Sequence, residues 1–135
     1  MLGSLASGRD LELSVMMVGD ETMRRLNLEY LGRNEPTDVM AFPQAAPEEI
    51  GNYAPGAGQP ELLGDIVICV PTARQQARER GEPLIRELEL LAAHGLLHLF
   101  GYGDSTPDEK RVMYAMESKL LGRRTARTSD RRIIR

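Results

Sequence analysis

The stretch AHGLLHLFGYGD, residues 93–104, constrains this chain more than any other part of its sequence. It contains both histidines of the chain, His94 and His98, four residues apart. Residues at positions i and i+4 share one face of a helix, so both imidazoles can point at the same place. Gly101 then lets the chain turn back, and Asp104 adds a carboxylate on the returning loop. The segment therefore predicts a helix followed by a turn, with three candidate metal ligands: His94, His98 and Asp104.

Three protein ligands would leave one coordination position open, as catalytic zinc sites do and structural zinc sites do not. In the HExxH motif of metallopeptidases, the residue after the first histidine is the glutamate that activates water. This chain has Gly95 at that position, so the metal-binding half of the motif is present and the proteolytic half is absent. Two histidines at this spacing can also be ordinary core or helix-surface residues. The glycine and aspartate that follow favour a metal site.

The length of 135 residues predicts one domain, large enough for a real hydrophobic core. No apolar run approaches the ~20 residues that a membrane span requires, and no secretory signal is visible at the N-terminus. We therefore expect a soluble protein. The single cysteine, Cys69, lies in an apolar run and cannot form an intramolecular disulfide. This favours a buried core thiol over a catalytic one, and a reducing, cytoplasmic setting.

Charge is distributed unevenly along the chain. Residues 122–135 contain six arginines and one aspartate, a net charge of +5, so the other 121 residues carry −8 of the total of −3. A basic tail on an acidic body is typical of an arm that binds phosphate groups. The alternative is a solubilising terminus without a ligand. We expect residues 1–121 to form the domain and residues 122–135 to form a flexible basic tail.

Hydrophobic periodicity predicts strands over residues 11–18, 38–42 and 63–70, and the nearly continuous apolar run of the last predicts a central strand. Residues 44–60, rich in proline, glycine and alanine, predict a long loop. Four helices are expected. The first runs from the N-cap Asp20 to about Leu31, and the second from Pro71 to Gly81. The third has Pro83 in its first turn and runs to Leu99, and the fourth runs from a capping box at residues 106–109 to Leu121. The fold class is therefore α+β, with a small mixed β-sheet packed on helices and a zincin-like metal site on a central buried helix.

Three motifs, taken in order, resemble one protein family. HGLLHLFGYGD resembles the HGxLHLxGYDH signature of the YbeY endoribonucleases, the bacterial ribosomal RNA maturation factors. Leu26, Asn27 and Tyr30, followed by PTDVMAFP at residues 36–43, resemble the family's LNxxYR…PTDVLSFP. LGDIVI at residues 63–68 resembles its LGDIxI strand. Together the motifs span roughly residues 11–121, and their order makes the resemblance specific.

The resemblance implies a zinc-dependent endoribonuclease that cuts single-stranded RNA. Its substrate would be the 3′ end of small-subunit ribosomal RNA, and it would act in ribosome biogenesis and quality control with the small subunit as partner. The resemblance also implies one zinc-like ion held by the motif helix and its returning loop. Without gaps, the matching positions are His94, His98 and Asp104.

This chain departs from the family pattern at three places. The family's third ligand is histidine, and here the aligned residue is Asp104, preceded by Gly103 where the family has aspartate. A carboxylate is a competent zinc ligand, so the site can survive; if Asp104 instead matches the family's aspartate, the third ligand is lost. The family's arginine after its tyrosine, thought to contact substrate phosphate, is Leu31 here, and Arg33 is the candidate to replace it. The family's first strand and helix, expected ahead of residue 11, are not visible in the sequence.

These departures leave three functions open. The first is hydrolysis of phosphodiester bonds with the help of a metal ion. The second is a non-catalytic RNA- or ribosome-binding homologue in which the altered ligand and the missing arginine have abolished cleavage. The third, and least favoured, is a metallopeptidase of the metzincin type, because Gly95 removes the base that such enzymes use.

Overall fold

The structure is a computed structural model that describes residues 11–46, 48, 61–125 and 132–133. Within these residues the elements are β1 (Leu11–Val18), α1 (Asp20–Leu31), β2 (Val39–Pro43), β3 (Glu61–Cys69), α2 (Val70–Arg80), α3 (Leu84–Leu99), α4 (Pro107–Leu121) and β4 (Arg132–Ile133). The predicted α+β class is confirmed. Most of the predicted loop at residues 44–60, and most of the predicted basic tail, lie outside the described residues.

The strands form one mixed sheet with the order β1-β3-β2-β4. β3 pairs parallel with β1 and antiparallel with β2, which confirms its predicted place inside the sheet. The short β4 pairs parallel with β2. The β1–β3 register shifts next to Gly64, whose φ is +154°. A Cβ at Gly64 would lie 2.4 Å from the carbonyl oxygen of Phe42, so this close approach of β2 requires glycine.

The helix ends follow local sequence signals, with shifts of one residue at three N-termini. Helix α2 begins at Val70, one residue before the predicted Pro71. The N-cap of α1 is Gly19, and Asp20 is its first residue instead of its cap. Pro83 is the N-cap of α3 and not a first-turn residue. The capping box of α4 forms as predicted: Thr106 accepts a hydrogen bond from the backbone N–H of Glu109, whose side chain accepts one in return. Cap prediction is therefore accurate to one residue, the usual uncertainty of helix ends.

The two faces of β3 pack against different helices. Ile66 and Ile68 belong to a core cluster with Leu91, Leu96 and Leu99 of α3. On the opposite face, Val67 and Cys69 pack with Met23 of α1 and Met40 of β2. Cys69 is fully buried, as its place in an apolar strand predicts. Residues 66–69 are all buried, and this burial on both faces is the physical reason for the apolar run in this part of the strand.

Helix α3 is the central helix of the domain, as its sequence predicts. It contacts β2, β3, α2 and α4, and each residue from 93 to 99 is buried. Such a helix fixes the positions of its side chains on all sides, which suits it to hold a site. Across the part of the chain that the structure describes, every helix is too short or too polar to span a membrane.

Candidate metal centre

The structure brings the three predicted ligands together at the C-terminal end of α3. The Nε2 atoms of His94 and His98 lie 3.0 Å apart. Oδ2 of Asp104 lies 3.1 Å from the first of these nitrogens and 3.4 Å from the second. Both imidazoles are buried, whereas 24% of the Asp104 side chain is exposed, so the cluster faces solvent on the side of the loop.

The loop after α3 aims Asp104 back at the histidines. Gly101 has a φ of +98°, a conformation that favours glycine and turns the chain immediately after the helix. Gly103 then passes close to α4, because a Cβ there would lie 2.3 Å from a carboxylate oxygen of Glu109. That glutamate belongs to the capping box of α4, so the start of α4 and the loop that carries Asp104 are packed as one unit.

A buried carboxylate on α4 holds the ring of His94 from behind. Nδ1 of His94 forms a short hydrogen bond with Oε2 of Glu117, whose side chain is 5% exposed. A carboxylate accepts this bond, so Nδ1 carries the proton and Nε2 is the ring nitrogen that faces His98 and Asp104. In the neutral ring Nε2 has a lone pair for a metal ion. Carboxylates commonly orient metal-binding histidines in this way.

The donor set fits a bound cation. When the His94 ring is neutral with its proton on Nδ1, its Nε2 and the carboxylate of Asp104 are both acceptors, and they lie 3.1 Å apart. Two acceptors at this distance repel each other unless a proton or a metal ion lies between them. Two imidazoles on one tetrahedral zinc ion would place their nitrogens about 3.3 Å apart, given Zn–N distances of ~2.0–2.1 Å. The observed 3.0 Å is close to that separation.

Asp104 is ionised at neutral pH. Partial burial raises the pKa of its carboxyl group, but without a metal ion the protonated rings of His94 and His98 donate hydrogen bonds to it, and these bonds and charges hold its pKa below the ordinary value of 3.8. The carboxylate is therefore in the form that binds metal ions.

Gly95 faces the sheet instead of the cluster. A Cβ at this position would lie 3.0–3.1 Å from three side-chain atoms of Ile66 on β3. A side chain here would press against Ile66, which is fully buried. The position that carries the general base in the HExxH motif is therefore packed against the sheet in this protein.

Arg33, the predicted phosphate contact, lies just beyond the end of α1. Its side chain is exposed, and its backbone N–H donates to the carbonyl oxygen of Asn27. The described contacts of the three predicted ligands come from other elements: α3, the loop after it and α4.

Asp38 has a structural place in the fold. Its Oδ1 accepts a hydrogen bond from the backbone N–H of Val39 at 2.8 Å, and its Oδ2 accepts one from the Gln76 side chain. These bonds tie the start of β2 to α2, so we assign Asp38 no part in proton transfer.

Glu117 is the functional residue that the sequence patterns missed. Met113 and Glu117 are the two buried residues of α4, and their spacing of four places them on one face of the helix. The sequence does contain a signal for it: a carboxylate on the apolar face of the helix that follows the two histidines. The contact itself joins residues 23 positions apart, which no local pattern reveals.

Comparison with known proteins agrees with the three motifs. The family model described as Endoribonuclease YbeY matches residues 2–124. The Endoribonuclease YbeY of Geobacillus kaustophilus is 44% identical over 112 residues, which are 83% of this chain and 72% of that protein. The protein of the same name from Thermobifida fusca is 41% identical over 111 residues, 82% of this chain and 70% of the relative.

A solved structure supports the fold. A Thermotoga maritima protein determined in solution matches with a TM-score of 0.59 at 24% identity, covering 89% of this chain and 73% of that one. At this identity the likeness concerns the fold alone. Because the family model covers nearly the whole chain and the relatives exceed 40% identity over most of it, this chain belongs to the YbeY endoribonuclease family.

Proposed function

We propose that this protein is a zinc-dependent endoribonuclease that cuts single-stranded RNA during maturation of the 3′ end of small-subunit ribosomal RNA. Family membership supports the reaction class, since its relatives are named endoribonucleases. The resemblance of the three sequence motifs supports the ribosomal substrate. The cytoplasmic setting expected from the single cysteine stays a prediction.

The convergence of His94, His98 and Asp104 is the observation that carries the proposal. We assign these three side chains as the metal ligands. Glu117 supports the assignment, because it keeps the Nε2 lone pair of His94 directed at the other two groups. The exposed side of Asp104 leaves room for a phosphodiester to approach.

A zinc ion held there would polarise a phosphoryl oxygen of the substrate and stabilise the charge that develops on it. The protein side chains have separate tasks. Asp104 supplies a negative charge that attracts the cation, and the two imidazoles supply neutral nitrogen donors. We assign Arg33 to a phosphate contact that helps to neutralise the substrate. No general base is assigned among the described residues.

A metallopeptidase is the least favoured alternative. The glutamate of HExxH is replaced by Gly95, and the Cβ of a larger residue there would face Ile66 of the sheet at 3.0–3.1 Å. A non-catalytic RNA-binding homologue has more support, from the carboxylate in place of the family's third histidine and from Leu31 in place of its arginine.

One set of measurements separates the three functions. Zinc content of the purified full-length chain is measured by plasma mass spectrometry, and cleavage is assayed on single-stranded RNA and on casein. We expect about one zinc per chain, cleavage of the RNA and intact casein. In Asp104→Ala, zinc and RNA cleavage should both fall sharply. Asp108→Ala is the matched control, since this exposed carboxylate lies on α4 and pairs with Arg111.

Each alternative outcome has a definite meaning. Zinc binding without RNA cleavage would identify the non-catalytic homologue, and cleavage of casein would identify a peptidase. RNA cleavage that survives both Asp104→Ala and His98→Ala would overturn the proposed metal centre.

A further inference from the structure

We propose that a pocket at the opposite end of α3 is a second RNA-binding site, which holds a backbone phosphate of the substrate away from the metal centre. The proposal rests on the proposed function, since it names a further contact of the same RNA. We call this cavity the arginine pocket. Its volume is about 230 Å³, and its charged lining residues are Arg80, Glu82, Arg86, Glu87, Arg123 and Arg124.

Three separate segments bring four arginines to this pocket. Arg80 ends α2, Arg86 lies in the first turn of α3, and Arg123 and Arg124 follow α4. Four guanidinium groups against two carboxylates leave two positive charges on the lining. The first 121 residues of the chain are strongly acidic, so this concentration of arginine runs against the charge of the domain around it. Such a concave cationic patch attracts polyanions.

The floor of the pocket is a buried ion pair. Arg80 contacts Glu87, whose side chain is 2% exposed, while that of Arg80 is 16% exposed. Breaking such a pair would leave a buried charge without compensation, so the pair is a fixed part of the pocket. It holds the end of α2 against the start of α3.

Arg86, on the rim, can by contrast change its partner. It contacts Glu82 at 3.8 Å, with both side chains about half exposed. An exposed pair of this kind contributes only ~0–1 kcal/mol, so a phosphate can replace the carboxylate at little cost. Arginine also binds phosphate in a bidentate manner, which strengthens the exchange. Arg123 is held more firmly: it binds Glu89 at 2.9 Å, and 22% of its side chain is exposed.

Arg124 is the most available cation of the pocket. It is exposed, and its side chain has no partner among the described residues. Its neighbour Arg123 is anchored by a second hydrogen bond, to the carbonyl oxygen of Arg86 at 2.8 Å. The first two arginines of the basic segment therefore lie on the folded domain, next to those of α2 and α3.

The arginine pocket and the metal centre lie along one stripe of α3. Glu87 precedes His94 by seven residues and His98 by eleven, which correspond to nearly whole numbers of turns. At 1.5 Å per residue, the two sites are roughly 10–16 Å apart along the helix axis. This separation is within the span of a few nucleotides, so we take an RNA phosphate, and not a free phosphate ion, as the occupant.

Binding is measured separately from cleavage, with metal-stripped full-length protein and a fluorescent single-stranded oligouridylate in EDTA. The affinity is recorded over a range of chloride concentrations for the wild type and for Arg86→Ala/Arg124→Ala. Each phosphate contact contributes ~0.7 to the slope of log K against log salt for single strands, so the slope should fall by about 1.4. The matched control is Arg74→Ala/Arg78→Ala, which removes the same charge from exposed positions of α2 outside the pocket.

Arg124→Glu serves as a second variant, because this exposed position can change sign without disturbing the core. It should lower the slope by at least ~0.7, whereas Arg86→Lys/Arg124→Lys should keep most of it. An equal fall in the pocket and control variants would overturn the proposal in favour of net charge. An unchanged slope together with tight binding of inorganic phosphate would also overturn the proposal, because it would identify a free-anion site.

The outcomes also separate this proposal from the proposed function. A wild type that never cleaves RNA, but whose binding depends on the pocket arginines, would contradict only the nuclease. A wild type that cleaves RNA with an unchanged slope in the variants would contradict only the pocket.

Discussion

His94 and Glu117 are joined by a buried hydrogen bond between two helices, α3 and α4. The bond places a proton on Nδ1 of His94 and turns Nε2 toward His98 and Asp104. It also connects the packing of α4 directly to the geometry of the candidate metal centre. The two imidazoles and the loop carboxylate are thus supported by a fourth residue that touches none of the atoms proposed to hold the ion.

Replacement of Glu117 tests this support. In Glu117→Ala we expect zinc affinity to fall about 10- to 100-fold, the range seen when such an outer partner of a ligating histidine is removed. Glu117→Gln should lose less, because its amide oxygen can still accept the Nδ1–H. Competition with a chromophoric chelator measures the affinity. Equal affinities in the wild type and both variants would show that Glu117 does not position His94.

A histidine at position 104 restores the family's residue. We expect Asp104→His to retain zinc more tightly than the wild type, because imidazole is a softer donor and zinc favours it over carboxylate. Zinc remaining after dialysis against graded concentrations of chelator is the measurement. Weaker retention would mean that the loop around Gly103 cannot present a longer side chain to the site.

The stability of the metal-free protein should depend on Asp104 and on pH. The pKa of this carboxyl is lowered in the folded state, so its contribution is present above the ordinary value of 3.8 and is lost as the pH falls below it. In EDTA, Asp104→Asn should therefore unfold at lower urea concentration than the wild type at pH 7. The difference should shrink as the pH falls below about 4. A gap that stays constant down to pH 2 would contradict the lowered pKa.

Packing between α3 and β3 gives a prediction that does not involve the metal. Gly95→Ala should destabilise the fold by up to about 2 kcal/mol, because the added methyl group meets the fully buried Ile66 at 3.0–3.1 Å, an overpacking cost of about 1–3 kcal/mol, while alanine gains ~1 kcal/mol over glycine inside a helix. Ile66→Val removes the nearest of the three atoms and should recover part of the loss. Urea unfolding of the two single variants and the double variant yields their coupling. Without such coupling, the contact with Ile66 is not what requires glycine here.

Much of the fold follows from local sequence signals. The strand β1 occupies the predicted residues 11–18, and β2 and β3 lie within two residues of their predicted bounds. All four helices end where glycine or the histidine motif predicts. These features depend on residues a few positions apart, through caps and periodicity, so the sequence alone displays them.

One part of the candidate site can be predicted from the sequence, and the other part is visible only in the tertiary structure. His94, His98 and Asp104 lie within eleven residues, on one helix and the turn after it. Their spacing can therefore be recognised in the sequence. The sequence does not reveal the partner of His94, the contact of Gly95 with Ile66 or the assembly of the arginine pocket. Each joins segments that are distant in the chain, and their distances are set by how α3 packs against β3, α2 and α4. The sequence by itself determined the elements and the three converging groups, because those depend on local geometry. Only tertiary packing decided which buried carboxylate orients the site and where the arginines gather.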